Sequence, residues 1–375
     1  MKITDSPLCL KHALPKMPTQ DENEEGRVMV GMTSNYNDLN KSQSTVWKHV
    51  RPLLLKAMQD VETTDSNNCF RVADLGCATG GNSIAPLSFI SEQISNTRSA
   101  DCALDVYLGD LPQNAWSSVV ATVTPESITK NGKRSAKNTF VSMVGRSFYE
   151  VCTPPASLDL SYSLVAVHWM KSYAGDLPSG LYATDPMHVP DLDLLQAWRD
   201  AGAKDFLVFT NARHRELKRG GFFIGAIAAP KDNGHFPWSM VGLPLIKAIT
   251  SRVAPEVSAP CVLPCCWRTE ADVRAGFPSE LWDVRACEFH QTKDPVREQF
   301  ERGEMTPAEY GKSVIESFKA VCHPTCEAAL SKSLDRKEVE KLLEESYFDC
   351  IDTIAADPEQ YNLDVSFWYV LARKK

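Results

Sequence analysis

The sequence predicts an α/β fold, a mostly parallel sheet covered by helices on both faces. Three observations carry that prediction. Short apolar runs alternate with amphipathic stretches from residue 43 to residue 229, the pattern of repeated strand–helix units. A glycine-bearing turn, Gly76 to Gly81, joins the first apolar run to the amphipathic stretch behind it. At 375 residues, 43% hydrophobic and 23% charged, the chain holds apolar material for one large domain or two moderate ones.

The first element is a helix over residues 43–61, where Val46, Val50, Leu53, Leu54, Ala57, Met58 and Val61 recur at three and four. Pro52 is expected to bend it. Cys69 to Leu75 reads as a short buried strand closed by Gly76, and a helix follows from Ile84 to Ile94. Ala103 to Leu108, closed by Gly109-Asp110, reads as a second strand. A helix near 114–123 and a strand near 139–144 continue the alternation. Residues 161–169 read as a fourth strand and the Pro- and Gly-rich stretch 174–190 as a loop. Residues 192–218 read as a long helix stopped at Gly220-Gly221, with basic residues in its last turn where the helix dipole favours them, and 222–229 as a further strand. Residues 235–330 carry many prolines, cysteines and tryptophans without strand alternation, so a helical cap inserted in the αβ core is expected there. Residues 347–354 and 367–373 are expected to be two closing strands. The resulting division is a disordered tail over 1–30, an αβ core over 31–234 and 331–375, and a pocket-forming cap over 235–330.

Charge and composition exclude several functions. The 48 acidic residues outnumber 40 basic ones, and a net charge of −8 offers no cationic field for nucleic acid or an anionic membrane. No apolar run reaches the ~18–20 residues that span a bilayer. The amino-terminal stretch has no continuous apolar segment and turns acidic at Asp21, Glu22, Glu24 and Glu25, unlike a secretory or transit segment, so a cytoplasmic location is expected. The 12 cysteines read as packing thiols of a reducing compartment. Neither the group Cys261, Cys265, Cys266 nor the run Cys322 to Cys326 has the C-x2-C spacing of a structural zinc site.

The turn Asp74-Leu-Gly76-Cys77-Ala-Thr-Gly80-Gly81-Asn82 is the most informative segment. Its spacing is not the G-x-G-x-x-G of a dinucleotide fold, nor that of a P-loop. Asp74, directly before the turn, would repel a pyrophosphate but favour the ammonium of a methionine moiety. Asp110 at the end of the second strand can accept hydrogen bonds from two ribose hydroxyls, and Leu111 can pack on an adenine face. The pair matches a pocket for S-adenosylmethionine; either acid alone could equally be the cap of its following helix.

Further segments extend the pattern: Tyr36 with Gln43 behind it; Asp74-Leu-Gly-Cys77 with Asn82; Asp110-Leu111-Pro with Asn114; and Ser147-Phe148-Tyr149. They continue with Ser-Tyr-Ser-Leu before His168-Trp169, Asp205-Phe206-Leu207 before Glu216-Leu-Lys-Arg-Gly-Gly, and the ending Val370-Leu-Ala-Arg-Lys. In this order they resemble the SABATH family of S-adenosylmethionine-dependent carboxyl methyltransferases, the salicylate, benzoate, theobromine and jasmonate group. The resemblance runs from about Tyr36 to the C-terminus. It implies a Rossmann-like class I methyltransferase core with a helical cap. It also implies an O-methyltransferase that esterifies a small-molecule carboxylic acid, releases S-adenosylhomocysteine and forms a homodimer. The implied cofactor contacts are Tyr36, Cys77, Asn82, Asp110, Leu111, Ser147 and Phe148, beside Asp74. Gln43 and Trp169 would hold the substrate carboxylate, with His168 next to them. Without the resemblance, Trp169 and His168 read as core residues, Gln43 as a helix cap, Tyr36 as an ordinary aromatic and Ser147-Phe148 as a strand end.

Methyl transfer from a sulfonium is an in-line displacement that mainly demands positioning, so no catalytic residue is assigned. A carboxylic acid of pKa about 4.3 is already ionised at neutral pH and needs no general base. Neutral donors orient its oxygens without stabilising the ground state as a bound cation would. Three departures from the family pattern stand out. Leu39 replaces an early Asn, although Asn40 follows. Pro178-Ser-Gly180 and residues 258–262 lack the segments that many plant members associate with magnesium, so no metal is expected. Cys265-Cys266 replaces an aromatic pair, which counts against a flat aromatic acid. The alternatives are an N-methyltransferase acting on a heterocycle of xanthine type and a cofactor-binding homologue without turnover.

Overall fold

The computed structural model describes residues 45–61, 68–98, 101–130, 136–231 and 234–375. Tyr36, Gln43 and the 1–30 tail lie outside the described residues. The first half builds the expected alternation. Helix α1 (Val46–Asp60) buries its predicted stripe and keeps Pro52 inside the helix. It is followed by β1 (Cys69–Leu75), α2 (Ile84–Thr97), β2 (Ala103–Asp110), α3 (Trp116–Thr122), α4 (Pro125–Thr129) and β3 (Thr139–Gly145). Then come β4 (Leu158–Leu164), α5 (Leu192–Glu216) and β5 (Leu217–Ala228). The second half contains α6 (Pro237–Thr250), α7 (Pro255–Ser258), α8 (Glu270–Ala275), β6 (Trp282–Thr292), α9 (Pro295–Glu301), α10 (Pro307–Leu330), α11 (Arg336–Ala356) and β7 (Val365–Lys374).

The seven strands among the described residues form one sheet in the order β3-β2-β1-β4-β5-β7-β6. β1 to β5 run parallel, and β7 enters antiparallel between β5 and β6. This is the Rossmann-like α/β class expected from the sequence. The chain builds outward from β1 in both directions, through β2 to β3 and through β4 to β5. The switch point, where a crevice opens beyond the strand carboxyl ends, therefore lies between β1 and β4.

Four expectations are corrected. Residues 347–354 are helical, inside α11; the window reads as a strand because it is short, whereas Val339, Leu342, Leu343, Tyr347, Cys350 and Ile354 together follow helical spacing. An Asp335–Glu338 capping box starts that helix. The stretch 235–330 does contain a strand, β6, which sits at the sheet edge with a bulge between Val284 and Ala286 and buries little, so no apolar alternation marks it. The fourth strand stops at Leu164 because Val165 takes a left-handed φ of 61°, which a β-branched residue adopts only under constraint. The long helix ends at Glu216 and runs straight into β5; Gly220 and Gly221 lie within that strand beside a register shift against β4 rather than capping the helix.

Candidate active site

The described candidate residues follow the carboxyl ends of β1, β2, β3 and β4. After β1 the chain turns through Gly76 (φ 90°), Ala78 (φ 47°) and Gly80 (φ 86°). A Cβ at Gly76 would stand 2.3 Å from the Cβ of Ala166 and 4.0 Å from the Phe148 ring, so the exits of β1, β3 and β4 converge there. Gly76 and Cys77 donate backbone N–H groups to the Gly109 carbonyl at 2.8 and 3.2 Å, tying the turn to β2. The Cys77 thiol is buried in the turn, and burial first, with Asp74 and Asp110 behind it, pushes its pKa up and keeps it protonated.

Asp110 holds the turn from the other side. One carboxylate oxygen accepts from the Ala78 N–H and the other from the Leu111 N–H, both at 2.8 Å, while the Asn114 side chain donates to the Ala78 carbonyl at 2.7 Å. Burial raises the Asp110 pKa against the pull of those two donors. Leu111, Ser147 and Phe148 are half-buried, and Asn82 is exposed at the start of the helical turn before α2.

Asp74 lies deeper, and burial pushes its carboxyl up to about 7. The Ser83 and Tyr162 hydroxyls lie near enough to favour the charged form, and Asp110 disfavours it. Neither hydroxyl meets full hydrogen-bond geometry with any described group, so the site holds a carboxylate and two polar groups short of partners. That shortage, and the open left-handed turn beside it, fit the charged amino-acid end and the ribose of an S-adenosylmethionine ligand.

His168 and Trp169 follow β4 in a turn closed by the Trp169 N–H on the Ala166 carbonyl at 3.1 Å. The Tyr149 hydroxyl donates to the Trp169 carbonyl, and residue 169 bridges Cys265. The Trp169 indole N–H makes no hydrogen bond among the described residues. His168 is buried, its Nδ1 without a partner; burial and then the Arg268 charge push its pKa down to about 3, so the ring is neutral. Four rings stand in sequence here: Trp169 to His168 at 4.6 Å, His168 to Trp267 at 5.7 Å, and Trp267 to Phe236 at 4.1 Å. Cys265 and Cys266 are buried, and an aromatic surface is supplied instead by Trp267 and Phe236.

The sequence reading missed several supporting groups. Arg213 and Glu216, both fully buried, pair at 2.7 Å on the last turn of α5. Arg213 reaches the Phe148 and Glu150 carbonyls at 2.5 and 2.8 Å, while Glu216 accepts from the Cys152 and Thr153 N–H groups. This pair holds the Ser147-Phe148 loop. Only the i, i+3 spacing of two opposite charges in the sequence hinted at it. Tyr149 and Tyr162 lie inside quoted segments but were given no role of their own, and Arg268 left no local signal. Among the described residues no group of three or more His, Cys, Asp or Glu side chains is placed to hold a metal ion, and no helix is long and apolar enough to cross a membrane.

Comparison with known proteins agrees with this architecture. Methyltransferase FUS9 of Gibberella moniliformis is 25% identical over 334 residues, 85% of this chain and 89% of that protein. Anthranilate O-methyltransferase 3 of Zea mays is 26% identical over 229 residues, 56% of this chain and 59% of the relative. The chain spans about half the length of the coffee relatives it matches, 57% in a 3,7-dimethylxanthine N-methyltransferase of Coffea arabica. In fold it resembles a solved loganic acid methyltransferase with SAH, with a TM-score of 0.71 at 15% identity, covering 92% of this chain and 98% of that one. The family described as SAM dependent carboxyl methyltransferase matches residues 28–373, and the chain belongs to it.

Proposed function

We propose that this chain esterifies a small-molecule carboxylic acid, holding cofactor and acid in the crevice beyond β1 to β4. Bound S-adenosylmethionine supplies the methyl group. Asp74 faces its ammonium, Asp110 its ribose hydroxyls and Leu111 its adenine, with Tyr36, Cys77, Asn82, Ser147 and Phe148 completing the cofactor side. The Trp169 indole N–H and the Gln43 amide orient the acid. The observation that carries this reading is a buried corner in which the His168 ring, stacked between Trp169 and Trp267, has an unpartnered Nδ1 and stays neutral. A carboxylate needs donors that leave its nucleophilicity intact and no base. A ring N–H substrate would need its proton taken, and His168, with a pKa about 3, is a weak base for that step.

The rings of Trp169, Trp267 and Phe236 would exclude water, which does not penalise a reaction whose charges merge. Residues 235–330, apart from the edge strand β6, are proposed as the cap, and 31–234 with 331–375 as the core. A reducing, cytoplasmic setting and a homodimer complete the proposal, the first on the thiol content and the second on the family resemblance.

A screen of carboxylic acids with methyl-labelled cofactor, read for methyl esters by mass spectrometry, tests the reading. Labelling confined to an azole or xanthine would replace it with the N-methyl alternative, and cofactor binding without turnover on any pooled extract would favour an inactive homologue. Two variants test the assignments. Trp169→Phe is expected to cut turnover about tenfold or more by removing one donor, with cofactor affinity unchanged; equal turnover would return Trp169 to the core. Asp110→Ala is expected to weaken S-adenosylhomocysteine binding by about 10–100-fold in calorimetry, the worth of a charge-assisted hydrogen bond; unchanged affinity would remove Asp110 from the ribose site.

A further inference from the structure

Among the described residues two arginines, Arg213 and Arg268, are fully buried, and they are treated differently. Arg213 faces Glu216 at 2.7 Å. Arg268, 1% exposed, makes no ion pair among the described residues. Its guanidinium donates to three main-chain carbonyls, Val167 at 2.9 Å, Cys266 at 3.2 Å and Gly202 at 3.2 Å, with the Phe206 ring 4.6 Å below it. It also neighbours the Tyr149 hydroxyl, on which the buried Asp205 also acts. Its Nε has no partner. A buried charge without a counter-ion costs several kcal/mol, and three carbonyl dipoles offset that only in part.

The backbone fixes where this charge stands. The Arg268 N–H donates to the Ala228 carbonyl at the end of β5, and the Trp368 indole donates to the Arg268 carbonyl at 3.0 Å. Cys266, two residues earlier, donates its N–H to the His168 carbonyl at 2.8 Å. The guanidinium is therefore bonded to the main chain immediately before His168-Trp169 and lies behind that corner. Tyr149, whose hydroxyl holds the Trp169 carbonyl, also feels its charge.

We infer that Arg268 is a specificity residue: its uncompensated charge, set one layer behind His168 and Trp169, selects an anionic substrate while only neutral groups touch the reacting oxygens. This rests on the carboxylate reading of the site. A charge at that remove lowers the energy of a bound carboxylate without occupying the lone pair that must attack. It is also insulated from salt by its burial. Burial first, and this charge second, lower the His168 pKa and keep the imidazole neutral.

The test uses S-adenosylhomocysteine-loaded protein and matched acid–amide pairs: benzoate and benzamide, phenylacetate and phenylacetamide, hexanoate and hexanamide. The wild-type protein is expected to bind at least one acid more tightly than its amide, and to keep that preference in 0.5 M salt. Arg268→Gln is expected to cut the preference by about tenfold or more, with amide and S-adenosylhomocysteine affinities unchanged. Arg268→Lys is expected to retain most of the preference. Equal loss for acid and amide in Arg268→Gln, or an unaltered preference, would overturn the assignment. Should that variant fail to fold, collapse of the wild-type preference in salt would overturn it as well. A wild-type protein that binds none of the acids fails the carboxylate reading itself, a result visible before any substitution is made.

Discussion

Arg213→Ala is expected to lose about 3–5 kcal/mol of folding stability, the largest effect of any single substitution considered for this chain. The cost comes less from the lost attraction than from what stays behind. Glu216 would remain fully buried as a carboxylate with only the Cys152 and Thr153 N–H groups to satisfy it. The Phe148 and Glu150 carbonyls would each lose a charged donor. The damage should reach function, because the released loop carries Ser147 and Phe148. Replacing both partners, Arg213→Met with Glu216→Leu, should recover much of the stability by removing the stranded charge, while S-adenosylhomocysteine affinity stays low because the loop is untied. Urea denaturation and calorimetry on the three chains separate the two effects. A single-variant loss below about 1 kcal/mol would mean that water reaches Glu216 and that the pair is not the anchor.

Asp74→Asn is expected to make the ligand-free protein more stable above pH 7 and less able to bind its cofactor. The sign follows from the burial of the carboxyl, whose pKa is raised from 3.8 to about 7. Between those values the folded chain holds a proton that the unfolded chain has released. The stability contributed by Asp74 is therefore complete below about pH 4 and is lost as pH rises through about 7. A shift of this size is worth on the order of a few kcal/mol by pH 8, and asparagine, which cannot ionise, should abolish that slope. Binding runs the other way. A cationic ammonium favours the ionised form, so wild-type affinity should fall as pH drops below about 7, and the variant should bind weakly at every pH. Thermal melts at pH 6 and pH 8 with parallel calorimetry decide the matter; an unchanged pH slope in the variant would place the titration elsewhere.

Most of the parallel sheet was legible in the sequence, because β1, β2 and β4 are short apolar runs and the first two carry an acid at their ends, Asp74 and Asp110. The positions proposed for the cofactor side could be named for the same reason, since they follow strand ends in order. The edge of the sheet was not. β6 presents charged residues on a bulged, little-buried strand, so the property that betrays a strand, alternate burial, is weak. Residues 347–354 misled in the opposite direction: Tyr, Phe, Cys and Ile in a short window favour a strand, but the capping box at Asp335 and the run of contacts with α10 decide for a helix. The groups behind the site were hidden for a different reason. Arg268 sits about 100 residues from the segment it supports, 101 in its bond to the Val167 carbonyl, and no local pattern encodes such a distance.

The close approach of Gly76 and Ala166 bears on how such an enzyme can change over time. With only 2.3 Å for a Cβ, the first position admits no side chain and the second can scarcely grow, so two chain segments about ninety residues apart are locked into one permitted combination. The side chains of Phe236 and Trp267 are under no such lock, because they meet the corner as stacked rings. Libraries aimed at new acids should therefore randomise positions 236 and 267 and leave the turn untouched. Natural divergence in this scaffold is expected to follow the same division, with appetite for new substrates accumulating on one wall of the crevice while the opposite wall stays fixed.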